Sequence, residues 1–417
     1  MNLLPNMSMT VNDQAVSQLI EAERQRQIDE LELIASENYA SPSVLAALST
    51  PLANKYSEGY IGKRYYGGNE IIDQVEALAI DRAKQLFGAE HVNVQPLSGS
   101  PANLAVYLAL LEPGDTVLGL RLDHGGHLSH GHPINISGRL FKFVQYEVDP
   151  TTGRLNMDQV REIAQVARPK LIVAGFSAYS REIDWASFQN IAEEVGAMTM
   201  ADISHTAGLI AGQQLTNPTN IFDVITTTTH KTLRGPRGAM IMCKEKLAKQ
   251  IDRAVFPGLQ GGPHDHVTAA KAIAFGEALQ PEFKDYTRQV IANAQLLASE
   301  LMAKGYDIVS QGTDTHLLVV DLTKNGLSGR QAEEALQAAG LSVSRSTVPG
   351  DQRPPLNPSG IRIGTAAITT RGFKEAEIKQ VADWLDLVIT NYDKPEQLAI
   401  IKQQVTELGR RLPPPGL

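Results

Sequence analysis

Cysteine is all but missing from this chain: Cys243 stands alone among 417 residues, so no intrachain disulfide can brace the fold. A lone thiol suits a reducing compartment, and its apolar flank Ala239-Met240-Ile241-Met242 reads as a buried strand, which makes it a structural thiol rather than a nucleophile. Excess positive charge is missing too. With 38 Lys and Arg against 46 Asp and Glu, the net charge is −8, the opposite of the footprint that nucleic-acid phosphates select. No apolar run approaches the ~18 residues that span a bilayer, and Met1–Asn6 lacks the basic region and apolar stretch of a secretion signal. Internal repeats and low-complexity tracts are likewise missing. These absences lead us to expect a cytoplasmic protein with no nucleic-acid or membrane partner. What remains is ordinary globular composition, 42% hydrophobic and 20% charged, in a chain long enough for two or three domains.

Short β-rich runs alternate with helix-like segments, the pattern of an α/β fold on a largely parallel sheet. The predicted strands are Thr116 to Leu122, Leu171 to Ser177, Ala197 to Ser204, Val224 to His230 and Ala239 to Lys244. Several end in polar residues, as the strands of open α/β sheets do where they meet a ligand. The spacing of Ala294, Leu297, Ala298 and Leu301 predicts a helix over 291–305, stopped by Gly305. A strand over 315–322, a helix over 329–339 and a strand at Ile361-Arg362-Ile363-Gly364 follow. We therefore expect an N-terminal arm over 1–55, a large domain over 56–290 and a smaller C-terminal α/β domain over 291–417.

Lys231 lies in Thr226-Thr227-Thr228-Thr229-His230-Lys231-Thr232-Leu233-Arg234-Gly235, between a strand-like run and a glycine turn. Hydroxyls, an adjoining imidazole and room for close backbone approach suit a lysine that forms a Schiff base with pyridoxal phosphate. Asp202, in Ala201-Asp202-Ile203-Ser204-His205 at the end of an apolar strand, reads either as a helix cap or as a carboxylate facing a pyridine nitrogen. Ser98-Gly99-Ser100-Pro101-Ala102-Asn103 enters an apolar helix, so it is either a plain cap or a phosphate site at a helix N-terminus. Four imidazoles fall within His124-Gly125-Gly126-His127-Leu128-Ser129-His130-Gly131-His132; a closed zinc site would need a second cluster, and we expect no metal. Arg362, late in the chain, offers the planar fork that clamps a carboxylate, or is a surface charge.

Together with Ile34-Ala35-Ser36-Glu37-Asn38-Tyr39, Lys55-Tyr56-Ser57-Glu58-Gly59-Tyr60 and Gly62-Lys63-Arg64-Tyr65-Tyr66-Gly67-Gly68, these strings resemble the serine hydroxymethyltransferases. The likeness covers nearly the whole chain beyond the first two dozen residues. It implies a fold-type I pyridoxal-phosphate transferase, with a mostly parallel seven-stranded sheet in the large domain and a smaller C-terminal α/β domain. The implied activity passes the hydroxymethyl carbon of serine to tetrahydrofolate, leaving glycine, in an obligate homodimer with shared active sites; dimer against tetramer stays open. By resemblance, catalysis falls to Lys231, Glu58, Tyr66 and His230. Cofactor contacts fall to Gly99, Ser100, His127, Ser177, Asp202, His205, Thr228, His230 and Lys231, with Tyr56, Gly261 and Gly262 reaching a neighbouring subunit. Ser36, Tyr66, Glu58, His205 and Arg362 bind the amino acid; Glu58, Tyr65, Leu122, Gly126, His127, Leu128 and Ser346 bind folate. Without the resemblance, Glu58 reads as a solvated loop carboxylate.

Two residues depart from the family strings. Ser346 stands where many members carry asparagine, and a hydroxyl lacks the reach and paired donor and acceptor of an amide. Ser204 replaces the usual alanine of Asp-x-Ala-His, adding a hydroxyl beside the cofactor face. Both predict a shift in folate affinity or substrate size preference. An aldolase or hydroxymethyltransferase acting on α-methylserine or threonine-like amino acids, using the same lysine, aspartate and arginine, is therefore the competing reading.

Overall fold

A computed structural model of the protein describes residues 12–417, so the expectation for Met1–Asn6 lies outside the described residues. Seven strands build the main sheet: β1 His91–Asn93, β2 Thr116–Leu120, β3 Lys142–Tyr146, β4 Leu171–Gly175, β5 Met198–Asp202, β6 Val224–Thr228 and β7 Ala239–Cys243. Across the sheet they run β1-β7-β6-β5-β4-β2-β3. Every pairing from β3 to β6 is parallel, and only β7 opposes its neighbours β6 and β1. The mostly parallel seven-stranded sheet agrees with the expectation. Two strands escaped the sequence pattern: β1 is only three residues long, and β3 lies at the sheet edge with half-exposed side chains.

Alternate residues of the central strands feed two separate cores. Val117, Leu171, Val173, Met200, Val224 and Ile241 pack on one face beneath helix Gly99–Leu110. Leu118, Ile172, Ala174, Ala201, Ile225 and Met240 pack on the other, against helices Glu70–Phe87, Met157–Ala167 and Trp185–Val195. Each fully buried aliphatic side chain contributes ~1.5–3 kcal/mol. Since both faces are apolar, the strands read as continuous hydrophobic runs, and that made them legible.

A second, antiparallel sheet orders Asp307–Ile308, Leu317–Asp321, Gly360–Gly364 and Ser344–Ser346 side by side. Its core takes in Leu31 and Leu33, because Leu31–Glu32 pairs in parallel with Leu341–Ser342. Helix Pro281–Ala303 starts earlier than the sequence pattern suggested, with proline in its first turn and buried Phe283, Thr287 and Val290 extending the apolar stripe. It runs without a break through residue 291. Cys243 is buried at the end of β7, where burial pushes its thiol up to about 12.

The C-terminal ends of β4, β5 and β6 point the same way, and the loops leaving them line one cavity with Arg362 of the second sheet, which bonds Ser177 O after β4. Crevices at such strand ends are where open α/β sheets hold ligands.

Candidate active site

Asp202, the last residue of β5, is the most heavily bonded carboxylate of the crevice. Its Oδ2 accepts from Asn103 Nδ2 at 2.9 Å and meets His130 Nε2 at 3.1 Å. Its Oδ1 accepts from the Ser204 amide at 3.1 Å and the Ser204 hydroxyl at 2.6 Å. Burial works against the charge, but the His130 bond, the fields of His130 and His127, and the Ser204 bond outweigh it and hold the carboxyl well below its usual range. Asp202 caps no helix: the next helix begins at Ala207, behind Thr206.

Lys231 sits in the turn that leaves β6, where the Thr229 amide donates to Gly238 O at 3.0 Å and the Gly235 amide to Thr229 O at 2.7 Å. A side chain at 235 would press its Cβ to 2.6 Å from Thr229 O, so only glycine lets this turn close. Burial strips water from the Lys231 ammonium and lowers it to about 8; Asp202 opposes that shift, while Arg362 and Arg237 add to it. About a tenth of the amine is therefore free at neutral pH, against well under a thousandth for an ordinary lysine.

Four imidazoles nearby are held neutral. Burial, reinforced by His130, lowers His127 to about 4, and its Nδ1 accepts from the Ser129 amide at 3.2 Å. His230 falls to about 4, first through burial and then through Arg237 and Lys231. His205 stacks on His316 with ring centroids 5.4 Å apart, and burial drives both far down, His316 to about 3. The His124 to His132 cluster disperses rather than converging: His130 faces Asp202, His127 faces Ser129, and His124 lies 3.8 Å from Glu147.

A cavity of about 520 Å³ joins these groups, lined by Ser100, His127, Asp202, His205, Lys231 and Arg362, with Ser36, Gly99, Ser177, Thr228 and His230 at its walls. Arg362 is nearly buried; its Nη1 donates to Ser177 O at 2.6 Å, its Nε has no partner, and no carboxylate pairs with it among the described residues. Burial lowers it to about 10. An uncompensated buried guanidinium is costly unless an anion arrives. Helix Gly99–Leu110 starts on the same cavity with no side-chain cap from Ser98, and a Cβ at Gly99 would meet Thr228 Cγ2 at 2.8 Å. A bare helix start, a free amine, an anion and an orphaned cation form a donor set that fits pyridoxal phosphate with an amino-acid carboxylate.

Of the folate set, Leu122, Gly126, His127 and Leu128 line the Lys231 cavity. Ser346 lines an adjoining groove that shares Leu122 and Arg362, but its hydroxyl donates to Thr347 O at 3.1 Å. The remaining residues gather elsewhere. Tyr56, Glu58, Tyr65, Tyr66, Gly261 and Gly262 form a second group, none of which lines the Lys231 cavity. The Tyr56 and Tyr66 rings lie edge to face at 5.0 Å, the Tyr56 hydroxyl donates to Glu58 at 3.4 Å, and a Cβ at Gly261 would come within 3.1 Å of Glu58 Oε1. Ser57, fully buried, straps this group to the start of helix Asp265–Ala278 through bonds of 2.7 and 2.9 Å to Asp265. Tyr56, Tyr65 and Tyr66 are 55%, 75% and 49% exposed, so one chain leaves these three tyrosines, expected at the site, in water.

Sequence reasoning assigned no role to Asn103, His130 or His316. Asn103 follows Gly99 by one helical turn, and His130 follows His127 by three residues; both spacings were available signals. His316 had none, because it comes from the second sheet and meets His205 only through the fold.

Residues 9–385 match the family model described as serine hydroxymethyltransferase. The serine hydroxymethyltransferase of Acidothermus cellulolyticus is 54% identical across 99% of this chain and 98% of its own. That of Alkalilimnicola ehrlichii is also 54% identical, across 98% of each chain.

Proposed function

The chain belongs to the serine hydroxymethyltransferase family, and from that premise we propose how its residues divide the reaction between them. The activity is the reversible transfer of the hydroxymethyl carbon of serine to tetrahydrofolate, giving glycine and methylenetetrahydrofolate, with pyridoxal phosphate as cofactor. Both relatives carry the name of that enzyme, which favours it over the α-methylserine and threonine-like readings.

Pyridoxal phosphate, when bound, supplies an aldehyde for an amine and a heterocycle that withdraws the electrons of a bond cleaved at Cα. Lys231 would be the amine that carries it, and Asp202 would hold the proton on its ring nitrogen. Gly99 and Ser100 hold its phosphate at the helix start. Neutral His127 would lie against its ring, and His205, Ser177 and Thr228, which line the same cavity, would surround it. Arg362, helped by Ser36, takes the serine carboxylate and so sets which bond at Cα is broken; the guanidinium beside Lys231 and Asp202, with its Nε unpaired and no counter-ion among the described residues, is the observation that carries this reading. His230 tunes the lysine rather than acting as an obligatory base. Leu122, Gly126, Leu128 and Ser346 border the folate.

Tyr56, Glu58, Tyr65, Tyr66, Gly261 and Gly262 complete the site of a second copy of the chain, with Glu58 managing the proton of the serine hydroxyl. The exposed tyrosines of that group, together with Val16, Leu19 and Ile20 at 45%, 71% and 54% exposure on helix Gln14–Asp29, support a self-complementary interface. The proposal extends to a homodimer at least, residing in the cytoplasm, with the division at 55 and 290 separating arm, large and small domains. Among the described residues no helix is long and apolar enough to cross a membrane.

Mixing Lys231→Ala with Glu58→Gln subunits tests the shared site, since each hybrid dimer rebuilds one site with both residues intact. Activity recovered on mixing supports the assignment, and two inactive parents that stay inactive as verified hybrids refute it. Borohydride reduction followed by peptide mapping tests Lys231 directly.

A further inference from the structure

The geometry points to Ser204 as a positioning residue that weakens the grip of Asp202 on the cofactor's ring nitrogen. This inference rests on Asp202 being the ring partner. An ionised carboxylate offers about four acceptor sites, and four donors already occupy Asp202: Asn103 Nδ2, His130 Nε2, the Ser204 amide and the Ser204 hydroxyl. A ring N–H arriving from the cavity must share with one of them.

Three of those donors are fixed from behind. The Asn103 carbonyl accepts from the Thr226 hydroxyl at 2.7 Å, so the amide cannot turn. His130 Nδ1 accepts from the His127 amide at 3.4 Å, and the Ser204 amide belongs to the backbone. Only the Ser204 hydroxyl hydrogen has a free torsion. Its oxygen stays in place because it accepts from the Thr228 amide at 3.0 Å, but its 2.6 Å bond to Oδ1 is the shortest of the four. A charge-assisted bond of that length draws negative charge off the carboxylate. Ser204 thereby lowers the basicity that the ring nitrogen's proton meets, and it couples the end of β5 to the end of β6 through Thr228.

Replacing the hydroxyl separates this role from a structural one by the sign of two effects. Ser204→Ala removes a competing donor, so dissociation of pyridoxal phosphate from the holoenzyme slows by about tenfold, the worth of one hydrogen bond to a charged group. The nitrogen NMR signal of isotope-labelled cofactor moves toward its protonated position. At the same time the Thr228 amide loses its acceptor, so the cofactor-free protein melts at a lower temperature. A merely structural serine would lower both stability and cofactor retention. Ser204→Cys, which keeps a weak acceptor but little donor strength, shifts retention the same way by a smaller factor and serves if the alanine variant does not fold. Cofactor release that is unchanged or faster in both variants overturns the inference. Asp202→Asn tests the premise separately: loss of retention there, with no gain on replacing Ser204, sinks only the Ser204 role, whereas unchanged retention in Asp202→Asn removes the ring-partner assignment and the inference with it.

Discussion

Replacing Arg362 should weaken serine binding and leave the fold as stable as before, or more so. The guanidinium has five N–H donors; Nη1 is committed to Ser177 O, Nε is unpaired, and no carboxylate compensates the charge. Two parallel bonds remain available for a serine carboxylate. Arg362→Lys keeps the charge but loses the fork, forfeiting at least one charge-assisted bond worth ~1.5–3 kcal/mol, or about 10- to 100-fold in kcat/KM. Arg362→Met loses both bonds and the charge, for about 3–6 kcal/mol and a loss beyond ~100-fold. Stability moves differently, because the cofactor-free protein bears the cost of a desolvated cation that methionine would not. Steady-state kinetics with serine as the varied substrate, paired with urea denaturation of the cofactor-free proteins, measures both. Serine kinetics within twofold of the parent in Arg362→Lys would refute the clamp. A drop in the unfolding free energy of Arg362→Met by several kcal/mol would show instead that the Ser177 bond is structural.

Capture of pyridoxal phosphate by cofactor-free protein should slow about tenfold per pH unit below about 8, because Lys231 is then protonated, and level off above it; a rate flat from pH 6 to 9 in stopped-flow absorbance contradicts the lowered amine. His127, His205, His230 and His316 all have folded values below the ordinary imidazole range, so the unfolded chain binds more protons as pH falls. Their contribution is whole above pH ~6.5 and drains away toward pH 4 by up to about 1.4 kcal/mol per unit for each imidazole; urea midpoints that do not fall over this window would rule it out. Ser346→Asn should lower KM for tetrahydrofolate several-fold, since the serine hydroxyl turns to its own chain at Thr347 O; an unchanged KM counts against a pterin contact at this position. Glu58→Gln should depress kcat far more than cofactor retention, and equal losses in both would place Glu58 in cofactor binding rather than proton handling.

Apolar runs buried on both faces made β2, β4, β5, β6 and β7 readable along the chain, and the glycine, threonine and lysine order around position 231 carried the cofactor reading. Short-range order determined these because a strand's two-sided burial and a turn's need for glycine are local demands. Only the tertiary structure decided that His130, Asn103 and Ser204 crowd one carboxylate, that His316 from the second sheet stacks on His205, and that Arg362 lies buried without a counter-ion. It also separated Glu58 and the tyrosines from the Lys231 cavity of their own chain. Such relations depend on which strand ends converge and on how much water is excluded between them. Neither quantity is written in the spacing of residues along one chain.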